Sequence, residues 1–330
     1  MRINQSELVT TSIALTTFNG EDFLAYQLDS FLSQSQLPDE VVICDDASSD
    51  STIKILKDFQ ESAPFKVYIH KNEMRLGLNS NFEKALSLCK GDIIFLSDQD
   101  DIWYKDKLKT VSNYFASNPD IDIIINNADY AEAGIEISKV TVMDKALHYG
   151  GKHGHLAGAC SAMRKRYVNF LIPFPNSIPQ YDVYINRWSS ILNNKITLKE
   201  TLQLWRIHQS NSSNSSQMIS SKIEPLFFRY WKNRKERPIE TYIQNISQHQ
   251  LMLRELDIKQ SYLTHLPLAP SKNDITKNLS AIILANEYRR DLVGGKFFAK
   301  LKIISIMIFR NDYKYFKGWK SLMKDISGII

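Results

Sequence analysis

The sequence is poor in several things that would settle its class at once. It has three cysteines in 330 residues, Cys44, Cys89 and Cys160. They are far apart, odd in number and form no CxxC, so neither a disulfide framework nor a cysteine zinc site is expected. Three buried thiols in a reducing compartment is the simple reading. Glycine is scarce, at 12 residues, and neither GxGxxG nor GxxxxGK[ST] occurs, which excludes a glycine cradle for phosphate. No run approaches the roughly 18 apolar residues of a membrane-spanning helix. The opening "MRINQSELVTTSIALTTFN" has only a short apolar stretch broken by Thr and Ser, with no basic lead. A secretory signal is therefore not expected, and the cytoplasm is the expected location.

What is present is ample core material and an uneven charge. The chain is 43% hydrophobic and 11% aromatic, which excludes a largely disordered protein. Residues 1–221 hold 21 Lys and Arg against 26 Asp and Glu, whereas residues 222–330 hold 20 against 10. An acidic front and a basic back predict two parts with different partners, at 1–215 and 216–330.

The front half alternates. Strands are expected in "TSIALTTF", "EVVIC", "FKVYIH" and "DIIFLS". Helices are expected in "GEDFLAYQLDSFLSQ", "SDSTIKILKDFQES" and "NSNFEKALSLCK", the last closed by Gly91 as a C-cap. Short strand–helix alternation predicts an α/β domain, with a mostly parallel sheet covered by helices on both faces. Ligands of such sheets sit beyond the carboxyl ends of the strands. Further on, "IDIIINNADY" reads as a strand, "HLAGACSAM" as a close-packed small-residue segment and "QYDVYINRWSSIL" as a helix. "KITLKETLQLWRIH" reads as two short extended pieces, and "QSNSSNSSQMISS" as a linker or lid. The remainder reads as helical and basic, broken at Pro238, Pro267 and Pro270.

Three polar clusters follow the first, second and fourth strands: "TTFNGED", "DDASSD" and "SDQDD". Asp98 and Asp100 can converge on one hard cation, Mg²⁺ or Mn²⁺, which takes oxygen ligands and substrate phosphates. A solvated acidic turn, with Asp101 capping a helix near Tyr104, is the alternative. Asp45 and Asp46 can accept bonds from a nucleotide's base or ribose, or can tie a turn to the backbone. Thr16 and Asn19 end the first strand, and Gly20 allows an unusual backbone angle.

Taken together, "TTFNGEDFLAYQLDSFLSQ", "EVVICDDASSDST" and "RLGLNSNFEKALSLCKGDIIFLSDQDDIW" resemble the N-terminal half of family 2 glycosyltransferases of the GT-A fold. Within that family the likeness is to bacterial rhamnosyltransferase-type enzymes of O-antigen and capsule synthesis. It is strong over about residues 10–115, weaker over 150–210 and loose beyond. The resemblance implies a Rossmann-like GT-A domain followed by a helical, basic C-terminal region. It implies that Thr16, Asn19, Asp45, Asp46 and Asp98 bind a nucleotide-sugar donor, UDP- or dTDP-linked. Asp98, Asp100 and His208 would hold a divalent metal, and Asp182 would be the catalytic base. Here Tyr181 precedes Asp182 where the family usually has Glu or His. A first-turn carboxylate remains the alternative for Asp182, and a structural histidine for His208.

This residue set suits inverting transfer of a sugar, rhamnose among the candidates, to a hydroxyl of a glycan acceptor. A nucleoside diphosphate leaves without needing a proton, unlike the leaving group in glycoside hydrolysis, and a carboxylate takes the proton of the attacking hydroxyl. The family's acceptors are often polyprenyl-diphosphate-linked, which implies work at the inner face of the cell membrane. "KFFAKLKIISIMIFR" could lie in the interface, or could pack as a helical cap with its apolar face as core. No motif supports nucleic-acid binding. The alternatives are a sugar-phosphate nucleotidyltransferase, whose glycine-rich loop is missing, and a non-catalytic sugar-nucleotide or glycan-binding module.

Overall fold

The computed structural model describes residues 9–132, 141–144, 158–208 and 239–327. The Ser/Asn-rich segment, Pro238 and the first residues of "HLAGACSAM" lie outside them. The chain divides into two compact units, Met1–Ser216 with Tyr262–Ala269, and Gln217–Ser261 with Pro270–Ile330.

The strands of the first unit are β1 Thr11–Thr17, β2 Glu40–Asp45, β3 Lys66–Lys71, β4 Ile93–Ser97, β5 Ile102–Trp103, β6 Ile123–Glu132, β7 Thr141–Asp144, β8 Ser161–Arg164 and β9 Lys195–Ile207. Among the described residues they form a nine-stranded sheet in the order β3-β2-β1-β4-β8-β6-β9-β5, with β7 on β6. The helices are α1 Leu24–Leu32, α2 Thr52–Ser62, α3 Leu78–Leu88, α4 Lys107–Ser117, α5 Lys165–Leu171 and α6 Tyr181–Leu192. β1, β2 and β4 are buried along their whole length. That is why they read as unbroken apolar runs rather than alternating ones. β3-β2-β1-β4 is parallel, as expected. β8 then enters antiparallel between β4 and β6, and β9 runs parallel to β6.

Three local expectations change. "KITLKETLQLWRI" is one long strand, its pairing with β6 slipping around Asn127, so register shifts take the place of a break. Gly91 is no C-cap. α3 ends at Cys89 in an extended conformation, and Gly91 is needed for space: a Cβ there would lie 2.6 Å from Ser12 Oγ and 2.7 Å from Ser12 N. Its N–H donates to that Oγ at 2.8 Å. Gly91→Ala is therefore an overpacking change. It should cost about 1–3 kcal/mol and lower the melting temperature by several degrees in a thermal scan. An unchanged midpoint would contradict the close approach. Finally, Asp101 caps no helix, because α4 begins only at Lys107.

In the second unit the helices Ile239–Ile258 and Lys272–Gly294 bury Tyr242, Ile246, Met252, Leu256, Ile275 and Leu279. Ser271 caps the latter through its hydroxyl. Helices Phe297–Phe309 and Trp319–Ser327 follow. Ile304 and Met307 pack with Leu292 and Tyr313, and a buried Arg289–Asp325 pair at 2.7 Å ties the segment together.

Candidate active site

The three polar clusters leave one edge. In register, Thr17 lies beside Asp45 and Leu15 beside Ser97, so the turns after β1, β2 and β4 are neighbours at the carboxyl ends of parallel strands.

The first two turns are tied together by the predicted donor-site residues. Asp45 is fully buried. It accepts from Thr17 Oγ1 at 2.8 Å and from the Ser48 amide and hydroxyl at 2.9 and 2.5 Å. Asn19 takes φ 46° and accepts from the Ser49 amide at 2.9 Å. Asp46 accepts from the amides of Leu76 and Gly77 at 2.6 and 2.9 Å and from Asn72 Nδ2 at 3.1 Å. It thereby holds the 72–77 loop, from which Arg75 reaches 4.0 Å over the Phe18 ring. Thr16 is buried at the end of β1, beside Cys44. The positive backbone angle falls on Asn19, not on Gly20. Gly20 instead leaves room for the Gln99 amide group, which a Cβ would overlap and displace. The Gln99 amide group accepts from Phe18 N at 2.8 Å and donates to Phe18 O at 3.0 Å, stitching the β1 turn to the acidic turn.

The acidic turn is braced from beneath. Arg206, on β9, is buried and donates to the carbonyls of Asp100 at 2.5 Å and Phe23 at 2.9 Å. Lys107 is wholly buried. It lies 3.8 Å over the Trp103 ring and donates to Ala159 O at 2.9 Å and to Gln203 Oε1. Gln203 in turn donates to Asp101 at 2.9 Å. Burial holds the Lys107 ammonium down to about 7, against support from nearby Cys160, Asp101 and Asp98. Burial also pushes Asp101 well above the usual carboxylate range, with Asp100 and Asp98 adding to it.

Above this brace stand the predicted metal ligands. His208 Nε2 meets Asp100 Oδ2 at 2.9 Å, its ring stacked 4.1 Å from Phe23. The Asp98 carboxyl is pushed up to about 8 by burial, then by the charges of Asp100 and Asp182, with Lys107 opposing. Asp98 is therefore close enough to both Asp100 and Asp182 to be repelled by each. Among the described residues no three side chains already form a cation cage. Mg²⁺-type sites need none, since one or two carboxylates plus substrate phosphates suffice. Two mutually repelling carboxylates beside an imidazole fit such an ion.

Asp182 lies in the first turn of α6 and accepts from the Val183 amide at 2.7 Å. The start of that helix is held by Asn79, which accepts from Tyr181 N at 2.9 Å, and by Tyr181, stacked 4.0 Å on Phe82. The Tyr181 hydroxyl fills the space where Gly158 has no side chain, so the Tyr that departs from the family pattern is seated in the packing. Next to it opens a cavity of about 410 Å³, walled by Leu76–Ser80 and Glu83 on one side and by Phe174–Asn176 and Ile178–Gln180 on the other.

Residues 12–171 match the family model described as glycosyl transferase family 2. That stretch, just under half of the chain, carries a family 2 glycosyltransferase domain. Among curated relatives, the chain is 37% identical over 108 residues to dTDP-rhamnosyl transferase RfbG of Shigella flexneri, covering 32% of the chain and 37% of the relative. It is 26% identical over 208 residues to UDP-Glc:alpha-D-GlcNAc-diphosphoundecaprenol beta-1,3-glucosyltransferase WfaP of Escherichia coli, covering 61% of the chain and 79% of the relative. The match spans only about a third of the length of the first curated relatives. S. aureus TarS 1–349, solved in complex with UDP-GlcNAc, superposes with a TM-score of 0.54 at 15% identity, over 89% of this chain and 80% of that one. The shared GT-A-like fold is what that likeness establishes.

Sequence reasoning singled out Asp98, Asp100, Asp182 and His208 but missed Gln99, Lys107, Gln203 and Arg206. For Lys107 a signal existed. It lies four residues before Val111, on the stripe that buries Leu108, Val111 and Phe115, where a lysine without a buried partner would be too costly.

Proposed function

We propose that the chain transfers a sugar, with inversion, from a UDP- or dTDP-sugar to a hydroxyl of a glycan acceptor in bacterial polysaccharide synthesis. The observation that supports this is the His208–Asp100 contact at 2.9 Å beside Asp98, whose carboxyl feels the charges of both Asp100 and Asp182. The relatives named for dTDP-rhamnosyl transfer and for a GlcNAc-diphosphoundecaprenol acceptor support rhamnose as donor sugar and a polyprenyl-diphosphate-linked acceptor. Such a reaction would take place on the cytoplasmic face of the membrane.

Asp98, Asp100 and His208 would hold Mg²⁺ or Mn²⁺. Bound there, the ion would supply Lewis-acid stabilisation of the diphosphate leaving group. The chain's own groups do the rest. Asp45 and Asn19 rigidify the turns that receive the nucleoside, and Asp46 shapes the 72–77 loop beside it. Gln99 and Arg206 fix the acidic turn, so its carboxylates need no reorganisation when charge develops. Asp182 accepts the proton of the acceptor hydroxyl as it attacks, and the cavity along Phe174–Gln180 offers the acceptor a seat beside it.

A thermal-shift screen of nucleotide sugars with and without Mn²⁺ tests this reading. A UDP- or dTDP-sugar at 100-fold saturation should stabilise the protein by about 2.7 kcal/mol, and only with the metal. Stabilisation by no nucleotide sugar, or by sugar phosphate and nucleoside triphosphate instead, would overturn it.

A further inference from the structure

Helix Phe297–Phe309 has apolar residues on two faces. One buries Ile304 and Met307 against Leu292 and Tyr313. The other shows Phe297 at 52%, Phe298 at 82%, Leu301 at 42%, Ile308 at 51% and Phe309 at 93% exposure. At about 100° per residue these five fall within a stripe roughly 120° wide. A surface helix ordinarily turns charged residues outward there. Trp319 and Met323, one turn apart on the next helix, add 70% and 49% exposure.

The surroundings say what covers the stripe. Residues 296–324 carry eight basic side chains: Lys296, Lys300, Lys302, Arg310, Lys314, Lys317, Lys320 and Lys324. Their one acid, Asp312, is buried and bonded to Arg310 at 2.9 Å. A second copy would bring a net seven positive charges against seven, so self-association is disfavoured. A surface of anionic headgroups over hydrocarbon complements both features. The helix has 13 residues, about 20 Å at 1.5 Å each. No described helix is long and apolar enough to cross a membrane.

We infer that the 297–323 face is a monolayer-inserting anchor for an anionic bilayer, with Phe298, Phe309 and Trp319 as the inserting residues and the surrounding lysines on the headgroups. The inference does not depend on the reaction proposed above.

Co-sedimentation of the full chain with vesicles tests it. With about 30% phosphatidylglycerol in phosphatidylcholine the protein should partition about tenfold more than onto phosphatidylcholine alone, and raised salt should reduce the difference. Phe298→Asp with Phe309→Asp should cut binding about tenfold. These positions are exposed, so the melting temperature should stay the same. Wild-type protein that ignores both vesicle types would overturn the anchor, as would a double variant that binds as well as wild type. A wild-type dimer in solution that the double variant splits would overturn it too, and would assign the face to a second copy.

Discussion

Asp182→Asn is expected to lower sugar transfer by about 10²–10⁴-fold, the usual contribution of a positioned general base, while leaving donor binding nearly unchanged. The amide keeps the shape of the carboxylate and its bond to the Val183 amide. The start of α6 is held independently by Asn79 and by Tyr181 stacked on Phe82. What is lost is the acceptor for the hydroxyl proton. The base role therefore predicts a fall in kcat, with the nucleotide-dependent shift in melting temperature preserved. A loss of donor binding in a folded variant would instead make Asp182 a donor-site residue. Full activity would make it a simple first-turn carboxylate.

Asp98→Asn should separate stability from function in opposite directions. The Asp98 carboxyl titrates at about 8 in the folded chain against an ordinary 3.8, so the folded state holds this proton more tightly than the unfolded chain does. Its contribution to stability is complete below about pH 4 and is lost as pH rises toward 8. The neutral amide removes that loss, so without metal the variant should melt higher than wild type at pH 8 and much as wild type does at low pH. The same change removes a ligand. The metal-dependent stabilisation by a nucleotide sugar should vanish, and transfer should fall by the several kcal/mol that such an ion supplies. In wild-type protein, Mn²⁺ stabilisation should grow between pH 6 and 8, since binding must displace the proton. A flat pH dependence, or a variant that still needs Mn²⁺, would contradict the assignment.

What could be read from the sequence follows from what local pattern encodes. β1, β2 and β4 are short apolar runs bounded by polar turns, and parallel strands must place those turns on one edge. The convergence of "TTFNGED", "DDASSD" and "SDQDD" was thus legible without coordinates. The reach of Asp182 and His208 into the same space was legible only through family resemblance, because those residues lie more than 80 positions from Asp98. The brace beneath the turn was not legible. Arg206 and Gln203 lie on β9, whose pairing depends on a register shift against β6 that no period-two pattern announces. The misreading of Gly20 and Gly91 has one cause. Both glycines are there for the space beside them, and a neighbour 79 residues away in each case, Gln99 or Ser12, is invisible locally.

In the proposed site the turn after β4 and His208 would grip one divalent ion near Asp182. A crystal of the chain soaked with Mn²⁺ and UDP, measured at the manganese edge, tests it most directly. One anomalous peak roughly 2 Å from carboxylate oxygens of Asp98 or Asp100, next to His208 and touching the diphosphate, is the result this account requires. A diphosphate seated there with no peak, or a peak away from these side chains, would contradict it.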